Sequence, residues 1–352
     1  MLQTLRTLAA NQRLLKELIV RDLKARYVGS SMGFFWSVIF PIINLVVYSF
    51  VFNILLGSRF DDAAGIKDVA IWMLVGIVVW NAFSETLTRS TNCLVENANL
   101  IQKVVFPAGV LPAYLTTSSL VNMAIGFPVV LAGVLYFGYI NPTQLNQQAS
   151  EIEEVVSMEQ TAIPPEMLVL DASGLPPGVR TAACNYCGYE EHLVCPNDGT
   201  AMRVLLPVVE GTAPVKSSFR GVNLGAMVLF LPILMLLQGI FTTGIGMFLA
   251  AFNLVLRDTA HLIGVFVMVW MFATPIFYPP TIFTAAKHEG RFDMILELNP
   301  MFWLIDCYRE VLLYNSFPSA IFLGKFAVVA VLVFYLGSTF FSRQRDRFPD
   351  LL

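Results

Sequence analysis

A basic segment that runs into a long apolar span near the start of the chain constrains the fold more than any other feature. The segment Arg21–Tyr27 is followed within a few residues by the apolar span Gly33–Leu56. As a helix rising about 1.5 Å per residue, this span reaches about 36 Å, which exceeds a bilayer core of about 30 Å. Cationic side chains hold their end of a span in the cytoplasm. The chain is therefore predicted to start inside the cell and then to cross a membrane.

Composition and hydropathy predict a polytopic membrane protein. Hydrophobic residues make up 56% of the chain and charged residues 13%, whereas soluble domains carry about 25% charged residues. Six apolar segments are long enough to be counted as spans, although the fifth is short and contains Pro275. The predicted spans are Gly33–Leu56, Val69–Thr88, Leu111–Ile140, Val222–Leu256, Leu262–Tyr278 and Ala320–Phe341. Glu85, near the inner end of the second span, is expected at the membrane interface, with a polar interior site as the alternative.

The predicted fold class is an all-α polytopic membrane protein of six transmembrane helices with one extracytoplasmic insertion. Both termini are placed in the cytoplasm, because basic residues flank them and six crossings return the chain to its starting side. The predicted regions are an interfacial helix in 1–30, spans one to three in 31–140 with a coupling segment at 92–107, the insertion at 141–221, and spans four to six in 222–352 with an outer hairpin at 279–318.

The segment before the first span has the pattern of an amphipathic helix that lies on the membrane surface. One helical face carries the apolar residues, and the other carries mostly basic residues. Two interpretations are open: a simple topology anchor, or a docking helix that also contacts a partner. The apolar face is Leu14, Leu15, Leu18, Ile19 and Leu23, and the charged face is Arg13, Lys16, Glu17, Arg21 and Lys24.

Two segments between spans are predicted to form short helices. The loop Glu96–Pro107 reads as one helix stopped by Pro107, and its apolar residues predict burial against a partner or against the protein's own inner surface. The segment Met301–Tyr314 is too short to span a bilayer and is aromatic. It fits a re-entrant or interfacial helix on the outer side, with ordinary interfacial aromatics as the alternative.

Catalytic motifs are missing from the sequence. There is no Gly-rich loop ending in Gly-Lys-Ser/Thr that could cradle nucleotide phosphates, and His288-Glu289 does not continue into a zinc protease motif. The spans also lack the acidic and basic relay of proton-coupled carriers. If the protein moves a substrate uphill, the energy must come from another subunit, which points to an ATPase partner. The chain itself is not expected to be an enzyme, and no nucleic-acid partner is expected.

A cysteine-rich stretch in the insertion predicts a small β-rich module resembling a zinc ribbon. Cys-x-x-Cys-Gly at 184–188 is a zinc-knuckle pattern, and the later Cys-Pro-Asn-Asp-Gly repeats its shape. His192 competes with the aspartate as fourth ligand, and a disulfide or free thiols are the alternatives to zinc. The predicted ligands of a structural zinc ion are Cys184, Cys187, Cys195 and Asp198.

Several motifs, in order along the chain, resemble the permeases of bacterial polysaccharide ABC exporters, which export O-antigen, teichoic acid and capsular polymers. Taken singly, each motif is weak, but their order and the topology agree over nearly everything outside Asn141–Gly221. The motifs are Arg21–Tyr27 with Ser31–Gly33, Trp36 and Pro41; Glu96–Pro107; Arg257-Asp258 with His261; Thr274-Pro275-Ile276 with Tyr278; Asn299-Pro300; and Tyr308-Arg309.

The resemblance implies a homodimer of six-span permeases in the bacterial inner membrane, served by two copies of a separate ATP-binding subunit. It implies that the N-terminal helix and the coupling segment receive the motion of that ATPase. The implied coupling residues are Arg21, Lys24, Arg26, Glu96, Asn99, Ile101, Lys103 and Phe106.

The resemblance also implies a path for a lipid-linked glycan at the dimer interface. Sugar rings present C–H groups that pack on aromatic faces, so a sliding polymer needs weak and repeated aromatic contacts. The candidates for this path are Phe34, Phe35, Trp36, Phe40, Tyr278 and Trp303. Two other functions stay open: a permease for lipids or drugs, and a membrane receptor or scaffold built around the zinc module.

Overall fold

The computed structural model describes residues 2–27, 35–50, 66–103, 106–136, 224–278 and 296–352, and the regular structure within these ranges is entirely helical. The predicted all-α class is therefore confirmed for the described residues. The predicted β-rich module at 141–221 lies outside them. The helices are α1 (Leu2–Ala10), α2 (Gln12–Tyr27), α3 (Trp36–Ser49), α4 (Ile66–Glu96), α5 (Ala98–Lys103), α6 (Val110–Leu135), α7 (Leu231–Val255, preceded by a 3-10 turn at Ala226–Phe230), α8 (Thr259–Ala273), α9 (Pro300–Leu313), α10 (Ala320–Gln344) and α11 (Phe348–Leu351).

Four helical segments within the described residues are long and apolar enough to cross a membrane. Helix α8 is apolar but shorter, and it ends at Ala273, just before the Thr274-Pro275 pair. The first predicted span is described only in part, as α3. Helix length therefore supports four of the six predicted crossings, and the other two remain predictions. The four segments are Val69–Glu96, Val110–Leu135, Ala226–Val255 and Ala320–Arg347.

Helix α4 is longer than its apolar stretch, because polar residues continue it beyond Phe83. The hydroxyl of Thr86 donates to the carbonyl of Ala82 at 2.8 Å, and that of Thr91 donates to Leu87 at 2.8 Å. Such bonds satisfy a buried hydroxyl within its own helix. Hydropathy alone ended this span at Thr88, whereas the helix runs to Glu96.

The helices alternate in direction, and their buried apolar side chains form two clusters. The larger cluster surrounds α4 and α9. The smaller one joins residues where α4, α7 and α10 end and α6 begins, among them Leu94, Leu111, Leu254 and Phe341. At the opposite end, the backbone N–H of Met227 donates to the side chain of Asn315 at 3.2 Å. Helix α6 ends at that opposite end of the bundle, and α7 begins there. The chain between the two helices therefore starts and finishes at the same end.

Helix α9 is inserted among the long helices rather than lying at their surface. Its N-terminus is capped by Asn299, whose side-chain oxygen accepts bonds from the backbone N–H groups of Met301 and Phe302. The indole of Trp270 donates to the same oxygen at 3.0 Å. Most of α9 is buried, including Trp303 and Tyr308. Its length agrees with the predicted non-spanning helix, and a re-entrant course stays a prediction.

Helices α7 and α10 pack closely against each other at a pair of glycines, Gly244 and Gly337. A methyl group added to Gly337 would overlap the carbonyl oxygen of Gly244, and one added to Gly244 would overlap the backbone of Phe334. Small residues allow helices in membranes to approach this closely and to gain packing contacts.

We expect Gly337→Ala to destabilise the protein, because α7 and α10 would have to separate to admit the methyl group. Overpacking of this kind costs about 1–3 kcal/mol. Gly324→Ala on the same helix is the matched control, since nothing lies within 4 Å of its added methyl. The measurement is the midpoint of thermal unfolding in detergent. Equal midpoints for the two variants would contradict the packing described for this crossing.

Candidate functional site

Short helices cover one end of the bundle and form a layer that we call the helix-end cluster. Helices α2, α5 and α11 contribute to it, and they pack over the ends of the long helices. Each supplies one deeply buried apolar residue: Leu18 from α2, Ile101 from α5 and Phe348 from α11, which are 6%, 9% and 1% exposed. The layer is therefore a packed part of the fold rather than a set of loose appendages.

Helix α2 has the two faces that its sequence predicts. Leu18 is buried, and Leu14, Leu15 and Ile19 pack against the same cluster. The charged residues Arg13, Lys16, Glu17, Arg21 and Lys24 are exposed. The apolar face rests on the protein itself, chiefly on α6, so α2 is docked on the bundle and leaves its basic face uncovered.

A network of four charged side chains fastens α2 to α4. The Arg89 guanidinium pairs with the carboxylate of Asp22 and also with that of Glu85, the latter at 3.1 Å. Arg26 pairs with Asp22 at 3.1 Å and with Glu85 at 2.5 Å. The hydroxyl of Ser118 on α6 donates to Asp22. Two cations and two anions thus neutralise one another where three helices meet.

Asp22 is the centre of this network. Burial alone would raise the pKa of its carboxyl, but hydrogen bonds from Arg89 and Ser118, together with the charges of Arg89 and Arg26, outweigh burial and lower the pKa below its ordinary value. The pairing therefore stabilises the folded state above the ordinary aspartate pKa of about 3.9, and this contribution is lost only as the pH falls through the lowered value.

The sequence predicted Glu85 either at the membrane interface or at a polar site inside the bundle, and the structure places it in a partly buried position. Its side chain is 29% exposed and pairs with both arginines of the network. It neither extends alone into the interface nor lies unpaired in the bundle. Sequence reasoning included Arg26 among the coupling residues but missed its partners Asp22 and Glu85, and it missed Arg89 as the second cation of the network. An available signal was the i, i+4 spacing of Asp22 with Arg26 and of Glu85 with Arg89.

The predicted coupling segment forms the short helix α5, with buried and exposed sides. Ile101 is buried in the helix-end cluster, and Phe106 is partly buried against it. Glu96, Asn99 and Lys103 are exposed. Ile101 thus meets the expected burial within the chain, whereas Leu100 is exposed together with the polar side. Val104 and Val105 lie outside the described residues.

The C-terminal helix α11 was not anticipated from the sequence. The ring of Phe348 meets that of Phe341 edge to face at 5.0 Å between centroids, and α11 contacts α5. Only an isolated Phe-Pro after a basic run marks it in the sequence. Helix α11 therefore packs against α5 at the edge of the helix-end cluster.

The aromatic residues predicted for a glycan path are found in two places. Phe35, Trp36 and Phe40 lie exposed on α3, at 67%, 44% and 55%. Trp303 is buried, and Tyr278 donates its hydroxyl to the carbonyl of Phe272 at 2.5 Å. Phe34 lies outside the described residues. The structure does not bring the α3 aromatics together with Tyr278 and Trp303 within this chain.

A cavity of about 620 Å³ lies between α3, α4 and α6, next to the charged network. Trp36 and Phe40 border it on one side. Its polar lining comes from Asn81, Ser84, Asn122, Arg26 and Glu85, and the rest of its wall is apolar. A cavity of this size, mostly apolar with a few convergent polar groups, has the character of a small-molecule site.

The prediction of a zinc cofactor is wrong. Across the described ranges, no group of three or more His, Cys, Asp or Glu side chains converges where a metal ion could be held. A structural zinc ion needs four such ligands in tetrahedral contact, and a spacing motif alone does not provide that convergence. The residues proposed as ligands were Cys184, Cys187, Cys195 and Asp198, which lie outside the described residues. The described cysteines, Cys93 and Cys307, are buried and free.

A family profile and individual relatives both match this chain to membrane transport proteins. The profile of the ABC-2 type transporter family of membrane proteins matches residues 13–149 and 213–313. The chain is 25% identical to an O-antigen export system permease protein, RfbA, of Myxococcus xanthus over 99% of both chains. It is 20% identical to an O-antigen export system permease protein RfbA of Klebsiella pneumoniae, over 94% of this chain and 92% of that one. The unmatched residues 150–212 fall within the predicted insertion.

We expect Asp22 and Arg89 to be energetically coupled, because each holds the other's charge in a half-buried site. In a double-mutant cycle of Asp22→Asn and Arg89→Gln, the coupling free energy should be about 0.5–3 kcal/mol. The measurement is the free energy of unfolding in detergent. Glu17→Gln on α2 and Lys325→Gln at the opposite end of the bundle, both exposed, form the control cycle and should be additive because they lie far apart. Additivity in both cycles would contradict the network.

We expect Phe348→Ala to loosen helix α5, because it removes the ring that packs between α11 and the helix-end cluster. A buried phenylalanine replaced by alanine typically costs about 3–5 kcal/mol. Hydrogen exchange of a peptide covering 98–103 should become faster. Leu336→Ala, at a position 56% exposed on α10, is the control and should leave that peptide unchanged. Unchanged exchange in Phe348→Ala would exclude a bracing role for α11.

Proposed function

The chain belongs to the ABC-2 type transporter family of membrane proteins, and on that premise we propose that it is the permease of an ATP-driven exporter of lipid-linked polysaccharide, O-antigen or a similar glycan. The relatives named as O-antigen export permeases align along nearly the whole chain, which supports this substrate class. A transport role is supported further by four apolar helices that are long enough to cross a membrane.

Membership of the family implies an ATP-binding partner subunit, and we propose that two copies serve a homodimer of this chain. The sequence has no phosphate-binding loop of the Gly-Lys-Ser/Thr type, so ATP hydrolysis is assigned to the partner. The permease would convert the partner's motion into movement of the glycan and would carry out no hydrolysis itself.

The observation that carries the coupling assignment is the two-sided helix α5. Ile101 fixes it to the bundle, while Asn99 and Lys103 face outwards. Glu96, exposed at the end of α4, and Phe106, partly buried beyond α5, flank it. A helix held in this way can receive a push and pass it to α4 and α6 through the packed cluster. Arg21 and Lys24 extend the same polar surface along α2. Arg26 is proposed to contribute indirectly, because its ion pair with Glu85 holds α2 against α4.

The distribution of basic residues supports an inner-membrane orientation with the helix-end cluster in the cytoplasm. Described Lys and Arg side chains concentrate at that end of the bundle, as the positive-inside rule expects of a cytoplasmic face. Both termini then lie in the cytoplasm, and the insertion at 141–221 lies outside the cell membrane. The residues at the cluster end are Arg6, Arg13, Lys16, Arg21, Lys24, Arg26, Arg89, Lys103, Arg257, Arg343, Arg345 and Arg347.

A glycan path along the aromatic residues of α3 completes the proposal. Phe35, Trp36 and Phe40 are exposed in the single chain, as residues facing a channel between two protomers would be. The predicted regions fit this role: an interfacial helix at 1–30, two sets of spans at 31–140 and 222–352, and an outer hairpin at 279–318 that contains α9.

We expect Lys103→Glu to weaken binding of the cognate ATPase while leaving the permease folded, because Lys103 is exposed on α5. An exposed interfacial charge typically contributes about 1–3 kcal/mol when it is reversed, which is roughly a five- to hundredfold change in affinity. The measurement is co-purification of the two subunits, together with ATP-dependent glycan export in cells. Lys325→Glu, exposed at the opposite end of the bundle, is the matched control.

Two results would contradict the proposed function. One is ATP turnover by the purified permease alone, which would place the motor in this chain. The other is full complex formation and export in Lys103→Glu together with loss of both in Lys325→Glu, which would place the ATPase at the opposite end.

A further inference from the structure

The cavity between α3, α4 and α6 lies directly beside the network that fastens α2. Arg26 and Glu85 belong both to the network and to the cavity wall. A ligand in the cavity would therefore touch the joint between the interfacial helix and a long helix. The size of about 620 Å³ falls within the range of small-molecule sites, about 300–1,000 Å³.

The polar groups that line the cavity are suited to hydroxyl groups. Asn81 and Ser84 enter from α4, and Asn122 enters from α6. Carboxamides both donate and accept hydrogen bonds, and a serine hydroxyl does the same. These groups match the alternating donors and acceptors of a sugar ring. Asn81 and Ser84 lie close to one face of α4 because they are three residues apart.

The aromatic border supplies the second requirement of a sugar site. Trp36 and Phe40 line the cavity, and both rings remain about half exposed. The C–H face of a sugar packs on such rings, while its hydroxyls turn towards the amides. A wall of Val78, Ala82 and Met123 makes the remaining surface apolar.

Electrostatics select against an anionic ligand at this position. The cation at the edge, Arg26, is already paired with Asp22 and Glu85. Glu85 also lines the cavity, so an entering phosphate or carboxylate would meet a negative charge and would have to displace it from Arg26. An uncharged ligand meets neither cost.

We propose that this cavity is a binding subsite for an uncharged sugar unit of a lipid-linked glycan, held by Asn81, Ser84 and Asn122 and stacked on Trp36 and Phe40. The inference rests on the proposed function and adds the position and the charge preference of the sugar site. The anionic part of a lipid-linked substrate, where it has one, is excluded from the cavity.

The test uses the full chain in phosphatidylcholine nanodiscs with a cysteine reporter at Gly126→Cys. A methyl group at Gly126 meets only Val78 at 3.5 Å, and Gly126 lines the cavity. Alkylation by N-ethylmaleimide is followed at that position by peptide mass spectrometry. Gly324→Cys, where nothing lies within 4 Å, is the control outside the cavity. Ala82→Cys, in the same wall, replaces the reporter if Gly126→Cys does not fold.

The probes are methyl glucoside and two amphiphiles, octyl glucoside and octyl phosphate, which are used below their micelle concentrations. At about ten times its dissociation constant, octyl glucoside should slow alkylation of the reporter about tenfold, because only the unoccupied cavity reacts. Octyl phosphate should leave the rate unchanged, and methyl glucoside should protect only at higher concentration. Asn81→Leu should raise the protecting concentration of octyl glucoside about three- to tenfold. Thr117→Val on α6, whose hydroxyl bonds within its own helix, should not.

The outcomes separate this inference from the proposed function. Equal protection by octyl phosphate and octyl glucoside, or no protection by either, would overturn the sugar subsite even if the permease still binds its ATPase and exports glycan. Equal protection by methyl and octyl glucoside would assign the site to free sugars instead of lipid-linked ones. If octyl glucoside protects the reporter but the chain binds no ATPase, the sugar subsite is supported and the proposed exporter function is contradicted.

Discussion

The paired charges of Asp22, Arg26, Glu85 and Arg89 are the contact on which the rest of the account depends. They join the interfacial helix α2 to α4 at a half-buried position, and they neutralise one another, so that charged groups can remain where burial would otherwise disfavour them. Because the network holds α2 against the bundle, the apolar side of α2 can complete the helix-end cluster. That cluster in turn supports α5, the helix proposed to meet the ATPase.

Much of this arrangement can be predicted from sequence, because it is encoded in local patterns. The period of apolar residues fixes the two faces of α2, and the short helix α5 lies within the segment that was predicted to be helical before Pro107. Hydropathy located the long helices but misplaced the end of α4, since Thr86 and Thr91 satisfy their hydroxyls within the helix and need no water. Long-range pairings such as Asp22 with Arg89 could not be read in advance, because residues distant in sequence are brought together only by the packing of α2 on α6.

The outer hairpin and the insertion show two further limits of sequence reasoning. The sequence of α9 fitted either a re-entrant or an interfacial helix, and only the packing around Asn299 and Trp270 shows why most of its aromatic residues are buried. The cysteine spacing suggested zinc, but spacing does not establish that four ligands converge. In contrast, α11 carries almost no sequence signal, because a single phenylalanine, Phe348, is enough to hold it against the cluster.

The exposed polar side of α5, which we propose receives the ATPase, lies at one end of the bundle, and the cavity that we propose binds a sugar lies beside the charged network. The most direct test of this account is site-directed cross-linking between the permease and its cognate ATPase. Lys103→Cys on α5 should form an adduct with the ATPase, and Lys325→Cys at the opposite end should form none. An adduct from Lys325→Cys with none from Lys103→Cys would contradict the account at its centre.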